Sequence, residues 1–147
     1  MNRKDLIGRI IREQMKVIES LQQSVEQYKA ASEIDEESTH DPEDFSNQSV
    51  AKDMQLRFEK MMAEAQQILR FLEKEREVVH TEIEKGSLIE TDKNFLFIGL
   101  SVPVIQVDDK ELISFSEQAP VFLEIKGKNL GDSLTVGNDT LKILAFS

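Results

Sequence analysis

The chain has 147 residues, 39% hydrophobic and 31% charged, with a net charge of −10. That is polar for one compact core and suits an elongated helical element with a solvated surface. The acidic balance argues against sequence-specific nucleic-acid binding, and the lack of cysteine excludes a disulfide framework and a thiolate metal site. The opening Met1–Ile7 has no apolar core long enough for a secretory signal, and no run approaches the roughly 18 apolar residues of a membrane span. A cytoplasmic chain without membrane contact is expected.

From Lys4 to about Ala31 no proline interrupts the chain, and Gly8 is the only glycine. Ile7, Ile10, Gln14, Val17, Leu21, Ser24, Tyr28 and Ala31 recur at alternating steps of three and four, with Ile11, Ile18 and Val25 widening the stripe. This is the period of a helix with a coiled-coil seam. A second helix is expected over about Pro42 to Lys85. Met54, Phe58, Met61, Ala65, Ile68, Leu72, Glu75 and Val79 keep the spacing, with Met62 and Leu69 alongside, and Gly86 suits a C-cap. Asp41-Pro42-Glu43-Asp44 reads as its start: Asp caps free amides, Pro suits the first turn, and acids favour the positive helix end.

Neither stripe can stay exposed and the connection is short, so the helices are expected to fold back on each other as a hairpin over residues 1–86. Between Glu33 and Asp44 lie seven acids and no Lys or Arg, and without that segment the rest of the chain carries only −3. The negative field is concentrated at the hairpin turn, and a partner there should be basic or carry a metal ion.

From Ser87 the period changes. Asn94 to Val107 is rich in β-branched and aromatic residues, Glu111 to Ser116 follows a turn at Asp108-Asp109-Lys110, and Pro120 to Lys126 suits a short helix ended by Gly127. Ser133–Val136 and Thr140–Ala145 flank a Gly137-Asn138-Asp139 turn and read as a terminal hairpin. Residues 87–147 are marginal for an independent core, so this domain is expected to lean on the base of the helices.

A helical hairpin with an acidic turn, followed by a small β domain, resembles the Gre family of transcript-cleavage factors. Leu112-Ile113-Ser114, Ala119-Pro120-Val121, Gly127-Lys128 and Gly131-Asp132 follow the order of that family's C-terminal motifs. The resemblance implies an α+β chain: a long antiparallel α-helical coiled-coil hairpin, then a small FKBP-like antiparallel β domain. It implies RNA polymerase as partner, with the β domain docked on the rim of the secondary channel and the hairpin inserted. In the family, two tip carboxylates spaced i, i+3 help hold Mg²⁺ shared with polymerase and so stimulate RNA cleavage. The family's tip reads Gly-Asp-Leu-x-Glu-Asn-Ala-Glu-Tyr, against His40-Asp41-Pro42-Glu43-Asp44-Phe45-Ser46-Asn47-Gln48 here. Asp41 and Asp44 keep the spacing, with Asp in place of the second Glu, one methylene shorter. Glu36, Glu37 and Glu43 are further candidate metal ligands, and Lys126 and Lys128 are candidate polymerase contacts.

Plainer readings stand beside these. Asp41 and Asp44 suit helix capping and the helix dipole, the remaining acids suit a solvated loop, and Lys126 and Lys128 suit an ordinary surface. His40 and His80 make no metal pattern, and His80 is expected on the helix surface. No nucleophile–base pair or complete metal site can be read, so the chain alone is not expected to be an enzyme or to bind a cofactor. The alternatives are a non-cleaving polymerase regulator and a coiled-coil interaction adaptor. A prolyl isomerase fits less well, since the chain has no Trp and its one Tyr, Tyr28, lies in the first helix.

Overall fold

The computed structural model describes residues 1–33 and 42–147, the side chains of 42–45 excepted. Helix α1 spans Arg3–Ser32 and helix α2 Pro42–Glu75. Strands β1 (Leu88–Thr91), β2 (Asn94–Ile98), β3 (Ile105–Val107) and β4 (Lys110–Phe115) follow, then helix α3 (Pro120–Ile125) and strands β5 (Ser133–Val136) and β6 (Asp139–Phe146). The fold is α+β. The chain divides into two compact units, Gln14–Leu69 and Met1–Glu13 with Arg70–Ser147.

Within Gln14–Leu69 the two helices run antiparallel, because apolar stripes on both find each other. Gln14 donates from Nε2 to the Ala65 carbonyl at 2.9 Å, and Tyr28 stacks on Phe58 with centroids 5.5 Å apart. Gln48 Nε2 donates to the Ser32 carbonyl at 2.7 Å, meeting one of the acceptors that a helix C-terminus leaves open. The seam differs from the sequence stripe by one position on each helix. Gln55 and Ala51 are buried and Met62 half-buried, whereas Met61 is 48% and Val17 37% exposed. A stripe wider than two residues per turn leaves the choice of seam to packing between the helices.

Helix α2 ends at Glu75, ten residues before the expected Lys85. Val78-Val79 and Thr81 are β-branched and extend a helix poorly. Arg3 supplies the stop. Its Nε and Nη2 both donate to the Glu75 carbonyl, at 3.1 and 2.7 Å, Nη1 donates to Ser147 O at 2.7 Å, and Nη2 also reaches Gly86 O and Glu75 Oε2 at 2.9 Å. Burial lowers the guanidinium pKa, and the Glu75 carboxylate opposes that shift.

The sheet order is β3-β4-β2-β1-β6-β5. It is mixed, which corrects the expected antiparallel domain: β2 and β4 pair parallel, Asn94 beside Glu111 through Ile98 beside Phe115. After β2 the chain reverses into β3 and reverses again into β4. Because β4 takes the place beside β2 and β3 lies outside it, the adjacent strands point the same way. One face carries Ile89, Leu96, Ile98, Phe115, Leu141 and Ile143 against Phe122 and Ile125 of α3. On the other, Leu88, Phe97 and Leu112 are fully buried, in the unit that also buries Leu6, Ile7, Ile10 and Leu72. Gly99 matters here, since a Cβ on it would stand 2.8 Å from the Phe71 ring. No helix among the described residues is long and apolar enough to cross a membrane.

Candidate functional site

The segment after β4 is built to present two lysines. Pro120 fixes the first turn of α3, and Phe122 and Ile125, three apart, anchor the helix in the core. The Lys126 amide bonds Phe122 O at 2.9 Å, Gly127 takes φ +81, and the Lys128 amide bonds Ile125 O at 3.2 Å. Asn129 N donates to Asp132 Oδ2 at 2.8 Å and Gly131 N to Ile143 O at 2.8 Å, tying the loop to β6. The short helix and its glycine agree with the sequence reading.

Lys126 and Lys128 share a cleft of about 390 Å³ whose other wall is Glu82–Lys85. Ser87 pins that wall: its Oγ accepts from Glu84 N at 2.9 Å and donates to Glu82 O at 3.1 Å. Lys85 adds a third cation and holds its Nζ 4.9 Å from the Phe71 ring centroid, while Lys126 Nζ stands 5.9 Å from that of Phe122. Glu82, Glu84 and Glu117 also line the cleft. Leu123 on α3 is 77% exposed, and Leu130 beyond the loop is exposed too. A concave surface of both charges with exposed leucines near it suits protein docking. Lys85, Leu123 and Leu130 were not picked out by the sequence reading. Leu123 was legible as the residue one step off the Phe122–Ile125 face.

Glu84, on the cleft wall, also belongs to a second cluster. His80, expected on the surface of α2, instead follows the helix with its side chain only 8% exposed. Its Nδ1 lies 2.7 Å from Glu84 Oε1 and its Nε2 2.7 Å from Glu75 Oε2. With Arg3 on the same Glu75 oxygen, the cluster joins the start of α1, the end of α2 and the segment before β1. These side chains take one another as partners and tie the three segments together.

Of the acidic candidates, Glu36, Glu37 and Asp41 lie outside the described residues. Glu43 and Asp44 fall in the first turn of α2, their side chains outside the description. Beside this connection, Lys29, Ser32, Glu33, Gln48, Lys52 and Asp53 border an open crevice of about 500 Å³. Two lysines therefore stand close to the helix ends that the acidic segment joins. Among the described residues no group of three or more His, Asp or Glu could hold a metal ion.

No family model matches the chain, and no curated protein matches it.

Proposed function

We propose that this chain is a Gre-like transcription elongation factor that binds RNA polymerase. In this reading its two long helices pair as a coiled-coil hairpin that enters the secondary channel. The sheet-bearing unit, FKBP-like in fold, docks on the rim through the cleft of Lys126 and Lys128. One observation carries the reading: α1 and α2 pair antiparallel, and Gln48 on Ser32 O closes the pair where the seven-acid segment leaves α1 and enters α2. A short acidic connection between paired helices suits delivery of carboxylates into a confined site.

Asp41 and Asp44 would help hold Mg²⁺, whose charge would activate a water for RNA cleavage. This chain's contribution is two carboxylates, Asp41 and Asp44, spaced i, i+3. Their oxygens are of the hard donor type that Mg²⁺ takes, and a pair of carboxylates, with Glu36, Glu37 and Glu43 as further candidates, would suit a metal held jointly with polymerase. The factor itself performs no chemistry alone.

The test has two arms. Core RNA polymerase is mixed with the chain at micromolar concentration and low salt, and complex formation is read by co-elution; absence of a complex ends the reading. Stalled elongation complexes with Mg²⁺ are then assayed for transcript shortening. Binding without shortening selects the non-cleaving regulator, in which the hairpin only occupies the channel.

A further inference from the structure

The helical unit has an apolar flank that its own pairing covers only in part: Met54 and Ile68 are half-buried, Val17 and Met61 exposed. Inside Gln14–Leu69 the seam repeats every seven residues, through Gln14, Leu21 and Tyr28 with Ile18 and Val25 on α1, and through Gln55, Met62 and Leu69 with Phe58 and Ala65 on α2. One step outside the seam, on the same side of the antiparallel pair, stand Val17, Ser24 and Ala31 from α1 and Met54, Met61 and Ile68 from α2. All are apolar or small. The opposite flank carries Gln22, Lys29, Lys52, Glu59 and Gln66, with Met15 and Phe45 at its apolar positions. A two-helix element with one polar and one apolar flank has the pattern of half of a larger helical bundle.

The charges beside the apolar flank say what completes it. On α2 the next positions outward are Arg57 and Glu64, neither of which has an ion pair among the described residues. Met61 lies between them, four residues after Arg57 and three before Glu64, while Met54 and Ile68 lie seven residues to either side. This pattern is self-complementary. If α2 of a second copy runs antiparallel about a two-fold axis at Met61, Met61 meets its own counterpart and Met54 meets Ile68. Arg57 then falls within one residue, about 1.5 Å of helix rise, of Glu64 on the other copy, and the same pair recurs across the axis.

We propose that the Val17–Met54–Met61–Ile68 flank is an interface between two copies of this chain, paired antiparallel through α2 with Arg57 and Glu64 exchanged across the axis. The pairing is independent of polymerase and covers one side of the paired helices. A dimer and a channel-bound chain would therefore compete for the same helices.

Sedimentation equilibrium of the full chain over a range from one to several hundred micromolar tests this, with far-UV circular dichroism to verify the helices of each variant. The wild-type chain should show a monomer–dimer equilibrium. Met61→Glu, which puts a carboxylate on the axis, should remain monomeric throughout. Arg57→Glu should weaken the dimer by about tenfold, since it makes two like-charge contacts, and the swap Arg57→Glu with Glu64→Arg should restore it. A wild-type chain monomeric at the highest concentration overturns the proposal. So does a dimer indifferent to Met61→Glu, or a swap that binds no better than Arg57→Glu alone.

Discussion

Gln14 is 3% exposed, and its side-chain amide donates 2.9 Å to the main-chain carbonyl of Ala65 on the facing helix. A buried amide at this place sets which turn of α1 meets which turn of α2, because only one register gives it an acceptor. Replacing it by Glu buries a carboxylate against a carbonyl oxygen and should cost about 3 kcal/mol in urea unfolding. Gln14→Leu removes both the need and the constraint. It should leave stability within about 1 kcal/mol of the original, as apolar burial offsets the lost hydrogen bond. A Gln14→Leu loss as large as that of Gln14→Glu would show that the amide contributes more than register.

Arg3 gives a sharper contrast. Its guanidinium donates to the Glu75, Gly86 and Ser147 carbonyls and to the Glu75 carboxylate, all within 3.1 Å. Arg3→Met leaves Glu75 half-desolvated and strips the last turn of α2 of its cap, an expected loss of about 3–5 kcal/mol by thermal or urea unfolding. Arg3→Lys should recover less than half of it. One ammonium cannot span a planar fork of acceptors contributed by three parts of the chain. Full rescue by Lys would reduce the site to simple charge pairing.

Much of this arrangement could be read from residues in sequence, and the misses share a cause. Seven-residue spacing gave both helices, Pro42 the start of α2, and Gly127 the end of α3, because each is a local signal. The end of α2 depends on Arg3, 72 residues earlier in the chain, so no window around Glu75 contains it. The parallel pairing of β2 with β4 likewise depends on β3 being displaced outward. In the candidate site, Lys128 belongs to the Gly127-Lys128 motif and Lys126 directly precedes it, so both stand out in sequence. Lys85, which faces them from before β1, became a neighbour only through tertiary structure.

Gly86 has φ +95, and a Cβ there would stand 2.5 Å from the Glu75 carboxyl carbon. Both terms oppose Gly86→Ala: the backbone conformation is strained for an L side chain, and the methyl displaces Glu75 from Arg3 and His80. The expected cost is about 2–3 kcal/mol. Combining it with Arg3→Met should cost clearly less than the two single losses together, because each breaks the same cluster. Simple additivity in unfolding experiments would mean that Gly86 acts through its backbone alone.

The docking half of the proposed function makes a separable prediction. Lys126 and Lys128 lie on the cleft wall outside the core, so Lys126→Glu with Lys128→Glu should leave the unfolding midpoint nearly unchanged. Affinity for core polymerase should fall about tenfold or more at low salt, and the wild-type and double-variant curves should converge as salt rises. Leu123→Ser should also weaken binding, but with little change in salt dependence, since its contribution is apolar. Unchanged affinity in all these variants would move the docking surface elsewhere on the chain.

Cleavage stimulation turns on reach. Asp44 stands where the resembled motif has Glu, so the second carboxylate is one methylene shorter, and an error of about 1 Å in a metal-bound assembly can cost about a hundredfold in rate. Asp44→Glu should therefore raise Mg²⁺-dependent shortening of stalled transcripts by about tenfold or more. Asp41→Asn should abolish stimulation while leaving polymerase binding intact. Helix capping predicts otherwise: Asn caps a helix about as well as Asp, so Asp41→Asn would be silent in every assay if capping were this residue's only role. Comparing Asp41→Asn with Asp41→Ala separates the two contributions, because the alanine variant alone should also lower the stability of α2, by about 1 kcal/mol.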